Sequence, residues 1–441
     1  MAALSVLALS CNKDAGKVHT PEDSKEILED TAVDVVESIN PEDFTPTLNT
    51  LSKVSAAVEN ADDSEISIWA NDVLEQILEA IEQTSSEEKD GVVVSTYEYK
   101  VIYSIAPFTG RFTLDPASGT WSREDANDLT FIIPTDEGNV DINLTISEKA
   151  SIVKLLAFNN YETEWESEYE GKDENGKPVY TTVTHRDISN GYVHVSVPES
   201  LNVTVFLNND EICGFGLGAS INTPSHIINN DEPDFEAILS ATGSFTQGIR
   251  VGDYSFEITK LGVDGNEAFF AAAYTKKHAS IVSTRFSIEG YHVNLSNGAA
   301  GAEKINADID LMGKVKLRGS IEFDALMSNP DLFGLTSEIP DLLLAQCQKT
   351  CDFLNSHIDI ALYFDNNVKQ AELVFYPIAF KDDFSGVSYY EVAPMIDFAK
   401  GNGSEGGRFA FDEYFNGENF DDVIEAWNRL LTSLAEVMPA A

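Results

Sequence analysis

The sequence is short of positive charge. It carries 28 lysine and arginine residues against 74 aspartates and glutamates, which gives a formal net charge of -46 at pH 7. A surface this acidic repels the phosphate backbone, so nucleic acid is excluded as a partner. An anionic membrane surface is disfavoured for the same reason, unless a lipid anchor holds the protein there.

The sequence also lacks the short motifs that mark common catalytic sites. It contains no G-x-S-x-G elbow, no P-loop and no H-E-x-x-H pair, and its seven histidines are scattered. Among 74 acids some pair always has the spacing of a glycosidase, so the sequence cannot select one. We therefore expect no enzyme and no cofactor, and keep a carboxylate-dependent glycan hydrolase as the less favoured alternative.

Cysteine is scarce as well. Besides Cys11, the chain has Cys213, Cys347 and Cys351. The last two lie four residues apart on a predicted helix, and Cys213 alternates with apolar residues on a predicted strand. We predict buried free thiols that act as small apolar side chains, against the alternative of one disulfide. The spacing to His357 fits no standard zinc motif, so we expect no metal site.

Only one apolar run stands out, and it is short. Residues Met1–Ser10 are apolar or small, and Cys11 follows them directly before a polar stretch. The run is too short to span a bilayer. With Leu7 and Leu9 near the cysteine, it resembles the lipobox of a bacterial lipoprotein signal. The alternative is a chance cysteine after an apolar N-terminus.

By this signal and its acidic, β-rich character, the chain resembles the cell-envelope lipoproteins of the Bacteroidota. The resemblance implies that Cys11 becomes the lipidated first residue of the mature protein. It also implies a location at the outer membrane, periplasmic or surface-exposed, with the membrane as a partner through the lipid. It implies no further site residue.

The spacing of apolar residues predicts the fold class. Helical spacing follows Thr20-Pro21 and Asn40-Pro41, and it returns near 337–355 and after Asn419. From Val92 onward the period becomes two, which is typical of half-buried antiparallel strands. We predict an α+β fold with extensive antiparallel sheet that could form half-barrels, and with N-terminal, inserted and C-terminal helices.

The same patterns suggest four regions along the chain. Residues 1–20 form the lipoprotein signal and tether, and residues 21–90 form a helical region. Residues 91–231 form an antiparallel β region. Residues 232–441 form a second β region with the inserted helix and the C-terminal helix.

One strand has an unusual segregation of side chains. Tyr161, Trp165 and Tyr169 share one face of the strand. Every position on the opposite face, from Glu162 to Glu170, is glutamate. Gly171–Pro178 is expected to turn the chain so that the following segment pairs back. The aromatic row could cover the core, or it could bind a sugar or a protein by stacking. These three aromatic residues are therefore our candidate ligand-binding residues.

A basic strand face occurs in this acidic chain at Lys314–Arg318. We expect an edge strand, because lysines on an edge prevent association with other sheets. Pairing of these bases with the glutamate row is the alternative.

These observations favour a non-catalytic binding protein for a lipid, a glycan or an envelope partner. The alternative is a structural or assembly subunit of an envelope complex. An apolar cavity would favour lipid binding, and a groove at Trp165 would favour a glycan. An exposed apolar patch would favour assembly.

Overall fold

The structure is a computed structural model. It describes residues 17–79, 83–89, 92–101, 109–147, 149–222, 228–229, 232–233, 242–264, 266–290, 292–294, 299–329, 339–364, 367–381, 388–401, 404–417 and 419–437. The fold is mixed α+β, with extensive antiparallel sheet and with helices near both ends and in the middle of the chain, as the sequence predicts.

The described helices begin close to the predicted signals. Thr20 caps the first helix, because its Oγ1 accepts a hydrogen bond of 3.0 Å from the backbone N–H of Asp23. Asn40 begins a short 3₁₀ helix over Pro41–Phe44. The helices are α1 Pro21–Glu37, α2 Thr45–Val58, α3 Ser64–Ile77, α4 Phe323–Met327, α5 Pro340–His357, α6 Phe411–Tyr414 and α7 Asp421–Val437. Within the described ranges, no helix is both long and apolar enough to cross a membrane.

Strands occupy most of the remaining described chain. They are β1 Leu78–Glu79, β2 Gln83–Lys89, β3 Val92–Val101, β4 Gly110–Asp115, β5 Thr120–Glu124, β6 Leu129–Thr135, β7 Gly138–Ile146, β8 Ala150–Lys172, β9 Pro178–Pro198, β10 Ser200–Leu207, β11 Asp210–Asn222, β12 Ile228–Asn229, β13 Glu232–Pro233, β14 Thr242–Val251, β15 Tyr254–Asp264, β16 Glu267–Lys276, β17 Ala279–Glu289, β18 His292–Asn294, β19 Ala299–Gly301, β20 Lys304–Leu311, β21 Val315–Ile321, β22 Ile358–Phe364, β23 Val368–Lys381, β24 Ser388–Phe398 and β25 Gly407–Ala410.

The chain divides into two compact units. Unit 1 comprises Met1–Asn49, Gly248–Gly262 and Asn266–Ala441, and unit 2 comprises Thr50–Gln247 and Val263–Gly265. The region boundaries suggested by the sequence at 20, 90 and 231 stay predictions.

Among its described residues, unit 2 contains two longer runs of paired strands besides the short pair β12-β13. One run has the order β11-β10-β7-β6-β4-β5, and the other has the order β1-β3-β9-β8 with β2 beside β3. Its core is a cluster of buried apolar side chains in which the rings of Phe112 and Phe131 stack at 5.1 Å. Trp69 of α3 packs edge-on against Phe112. Apolar alternation along β6, β7 and β10 therefore faces one core, as expected for half-buried strands.

Unit 1 is built on a run of antiparallel strands in the order β25-β24-β23-β22-β21-β20-β17-β16. Helix α1 carries Val36, which is buried with Ala426 and Leu430 of α7. Leu28, eight residues and about two turns earlier on α1, packs on the sheet beside Ala371. The apolar stripe of the first helix thus joins the sheet to the last helix.

The basic segment Lys314–Arg318 is not an edge strand, so that prediction is wrong. Its strand, β21, pairs with β20 on one side and β22 on the other. The register places Asp308 opposite Arg318 and Asp310 opposite Lys316. The resulting ion pairs measure 3.1 Å and 3.0 Å. The bases are tolerated inside the sheet because acids on the neighbouring strand neutralise them.

The cysteine prediction is confirmed for the thiol state. Cys213, Cys347 and Cys351 are all free, and the two on α5 are buried. Cys213 is only half-buried on β11. Burial raises the pKa of all three thiols, and it raises that of Cys351 to about 11.

Candidate functional site

The candidate residues from the sequence have different outcomes. Cys11 lies outside the described residues. Tyr161, Trp165 and Tyr169 all lie on β8, where their register partners on β9 are Ile188, Thr184 and Tyr180. The side chains of Tyr161 and Trp165 are also outside the described part of the molecule. A binding role for this row stays a prediction.

The hairpin that carries this row turns where the sequence predicts. Asp173 Oδ1 accepts hydrogen bonds from the backbone N–H groups of Asn175 and Lys177, at 2.9 Å and 2.8 Å. At the described end of the row, Tyr169 is exposed and its ring lies 5.6 Å from that of Tyr180 on β9. This tyrosine pair is open to solvent on both strands.

A second candidate site lies on the sheet of unit 1, where the sequence analysis predicts none. The register aligns Leu317 of β21 with Leu362 of β22, then with Ala371 of β23 and Phe398 of β24. Side chains in register share one face of a sheet. Four neighbouring strands therefore present an apolar row on the same side.

A cavity of about 370 Å³ lies over this row. Its other wall is the short helix α6 and the residue after it. The lining residues are Leu317, Ile360, Ala361, Leu362, Ala371, Glu372, Leu373, Ile396, Phe398, Phe411, Tyr414 and Phe415. We refer to this space as the apolar cavity.

The polar groups of the lining are occupied elsewhere. Glu372 is the charged lining residue, and its carboxylate pairs with Lys369. The hydroxyl of Tyr414 donates a 2.8 Å hydrogen bond to the carbonyl oxygen of Pro21. Burial raises the pKa of Tyr414, so this hydroxyl stays neutral. The cavity wall is therefore almost entirely apolar, and the charge of its acidic lining residue, Glu372, is already neutralised by Lys369.

Aromatic rings line one end of the cavity and reach the surface. The ring of Tyr414 lies 5.0 Å from that of Phe398 and 5.1 Å from that of Phe415. Phe415 in turn lies 4.9 Å from Phe411. Phe398 and Tyr414 are buried, whereas Phe411 and Phe415 are exposed. These two rings and Leu317 are the exposed apolar lining residues, and we refer to them as the mouth of the apolar cavity.

The segment before α1 is fixed beside this cavity by a bulge in β23. Leu362 pairs with Ala371 and Tyr363 pairs with Lys369, so Gln370 is the extra residue. A bulge redirects side chains, and Gln370 is completely buried. Its Oε1 accepts from the N–H of His19 at 2.8 Å, and its Nε2 donates to the carbonyl of Lys17 at 3.0 Å. We call this arrangement the N-terminal clamp.

The opposite side of the strands is polar. A hollow of about 480 Å³ is lined there by residues such as Arg285, Asn306, Asp308, Arg318 and Asp359. Its polar side chains bond to one another: Asp308 pairs with Arg318, and Asn306 donates a 2.7 Å hydrogen bond to Glu289. Among the residues that the structure describes, no group of three or more His, Cys, Asp or Glu side chains could hold a metal ion.

Sequence reasoning missed the apolar cavity for a physical reason. The alternation on β21 to β24 predicts which residues share a face, but it does not show that the cover over that face leaves a space. The mouth carries one weak signal, the cluster of aromatic residues between Phe409 and Phe420. Comparison of the chain with models of protein families, with curated proteins and with solved structures finds no significant match.

Proposed function

We propose that this protein is a cell-envelope lipoprotein, anchored through lipid on Cys11, that binds the acyl chain of a lipid in the apolar cavity. It acts without catalysis and without a cofactor. The observation that carries the proposal is the chemistry of the cavity wall, which offers apolar contacts from four strands and from α6.

The size of the cavity supports an acyl chain. A buried apolar cavity of roughly 150 Å³ is enough for a benzene ring. The apolar cavity, at about 370 Å³, has more than twice that volume and falls within the usual range of ligand sites. A glycan would lose hydrogen bonds to water here without replacing them, and that loss disfavours binding.

The N-terminal clamp supports access to a membrane. Five residues separate Cys11 from Lys17, the first described residue, and Lys17 is bonded to Gln370. The six Cα–Cα steps from Cys11 to Lys17 span at most about 22 Å when extended. A lipid on Cys11 would therefore hold unit 1, including the apolar cavity, close to the membrane that supplies the ligand.

The binding test is a series of uncharged straight-chain alcohols of increasing length, measured by calorimetry. Neutral ligands are needed because the protein is strongly acidic. Each added methylene buried should contribute about 0.8 kcal/mol, which is roughly a fourfold gain in affinity. The gain should stop when the cavity is full. No dependence on length would contradict the proposal, as would binding of glucose as tight as that of octyl glucoside.

Matched variants locate the binding site. Leu317→Glu places a carboxylate at the mouth of the cavity, and it should weaken binding of the longest alcohol by about tenfold or more. Leu261→Glu on β15 is the control. Leu261 is exposed to a similar extent, 44% against 40% for Leu317, but it does not line the cavity. Equal effects of the two substitutions would place binding elsewhere.

The anchor has a separate test. The chain expressed with its N-terminus in a diderm bacterium should partition into the detergent phase, and Cys11→Ser should release it. If both forms stay in the aqueous phase and carry no lipid by mass, the anchor is refuted. The alcohol series on purified protein is unaffected by that outcome, so anchoring and ligand binding are judged independently.

A further inference from the structure

Helix α7 has two apolar stripes, and one of them faces solvent. Ala426 and Leu430 are buried against α1, with Leu434 beside them. Ile424, Trp427 and Leu431 are each about half exposed. Their spacing of three and four residues places them on one face of the helix. We call these three residues the C-terminal stripe.

The C-terminal stripe differs from scattered exposed residues, because its three members lie on one face of one helix. Single exposed apolar residues are common, but a contiguous apolar patch on a soluble protein usually marks an interaction site. Next to the helix, Ile424 Cδ1 lies beside Gly417 in the loop that follows α6. The exposed rings of Phe411 and Phe415 precede this loop. Trp427 is the residue type most enriched in binding hot spots.

Carboxylates flank the C-terminal stripe on α7, and further exposed carboxylates lie on α6. Exposed acids lie on α7 and on α6, namely Asp412, Glu413, Asp421, Asp422 and Glu425. Arg429 is the base on α7, and it is already paired with Glu37 of α1 at 3.0 Å and with Glu425 at 3.9 Å. A ligand that covers the stripe therefore meets a negative potential at its rim.

We propose that the C-terminal stripe binds a basic amphipathic helix of a protein partner. The apolar face of such a helix covers Trp427 and its neighbours, and its lysines or arginines lie against the acids at the rim. Helices that lie on anionic bilayers carry Lys and Arg on the polar face, whereas the polar face of α7 is acidic. The charge complementarity thus favours a basic protein segment over an anionic membrane surface. The proposal does not rest on ligand binding in the apolar cavity.

The experiment uses the full chain and a labelled peptide of leucine and lysine, about five helical turns long, with leucine at helical spacing. A peptide of the same composition in scrambled order is the control for simple charge attraction. At physiological salt, which screens exposed charges beyond about 8 Å, the amphipathic peptide should bind about tenfold tighter by fluorescence anisotropy. Equal binding of the two peptides would overturn the proposal.

Variants assign the surface. The double substitution Trp427→Ala and Leu431→Ala keeps residues with good helix propensity and should remove the difference between the two peptides. Phe380→Ala, at an exposed aromatic residue on β23, is the matched control and should preserve that difference. A loss with Phe380→Ala as large as with the double variant would refute the assignment. A second result would also refute the assignment, namely that the wild-type protein binds neutral phosphatidylcholine vesicles and the double variant does not. The C-terminal stripe would then be a membrane contact.

Discussion

Substitution of Gln370 by alanine gives the sharpest test of the N-terminal clamp. Gln370 is 0% exposed and makes hydrogen bonds to His19, Lys17 and Val368. Two of these bonds join β23 to the segment before α1. The alanine variant removes all three bonds without adding any group that could replace them.

The magnitude follows from the fate of those partners. If the N-terminal segment leaves, its backbone groups bond to water, and each lost bond costs a net of about 1 kcal/mol, or about 3 kcal/mol for three. If it stays, the buried N–H of His19 loses its acceptor, at about 1–3 kcal/mol, in addition to about 1 kcal/mol for each of the other two lost bonds. Both outcomes cost about 3 kcal/mol or more, and release avoids the unsatisfied N–H of His19. We expect a loss of stability of about 3 kcal/mol with a freed N-terminal segment.

Limited trypsin digestion with mass analysis reads that release directly. In the wild-type protein the bond after Lys17 should be cut slowly, because Val18 packs against Gly401 and the flanking residues are bonded to Gln370. In Gln370→Ala a product that begins at Val18 should accumulate much faster. Thermal denaturation gives the accompanying loss of stability.

Gln348→Ala is the matched control. Gln348 lies exposed on α5 and donates to Asp352 at 2.9 Å, so its removal should change stability by no more than about 0.5 kcal/mol. If Gln370→Ala cleaved after Lys17 no faster than this control, the clamp would not hold the segment. In a chain shortened to begin at Pro21, most of the effect of Gln370→Ala should vanish, since the partners are gone. An undiminished effect would assign the role of Gln370 to β23 alone.

Three further outcomes are expected. The hydroxyl of Tyr254 donates a 2.6 Å hydrogen bond to Asp43 Oδ2 and lowers the pKa of this carboxyl group, so the ionised carboxylate stabilises the fold at neutral pH. Asp43→Asn should therefore lower the melting temperature at pH 7. The difference from wild type should shrink as the pH falls below 3.8, because the wild-type carboxylate is then protonated. The raised pKa of Cys351, about 11, predicts slow alkylation at pH 8 until the protein is denatured, and rapid labelling of native protein would contradict its burial. Asp308→Lys places a second cation opposite Arg318, so it should lower the urea midpoint of unfolding more than Asp308→Asn does. Equal midpoints would show that the charge opposite Arg318 does not affect stability.

Local signals explain the part of the fold that the sequence predicts. The cap at Thr20, the turn at Asp173 and the alternation along β7 each depend on residues within a few positions of one another. Such signals can be recognised in the sequence without knowledge of any tertiary contact. They give the identity and approximate position of helices and strands, and hence the fold class.

Non-local pairing explains the errors. The segment Lys314–Arg318 looks like an edge strand when read alone, because nothing near it shows which acids will lie opposite. The register with β20 supplies Asp308 and Asp310, two acids among 74. The role of Gln370 is equally hidden in the sequence. A bulge is recognised only when β22 and β23 are aligned and one strand has an extra residue. Neither partner can be selected from one sequence without the pairing.

The apolar cavity shows why a binding site is harder to predict than the strands around it. Val315 and Leu317 lie two residues apart on β21 and therefore on the same face of the sheet. Val315 is 3% exposed, whereas Leu317 is 40% exposed. Alternation assigns both to one face, but the elements that cross this face cover only the first. A site for an apolar ligand arises where such cover is incomplete, and that property belongs to the packing of α1 and α6 over the sheet rather than to any residue of the strand.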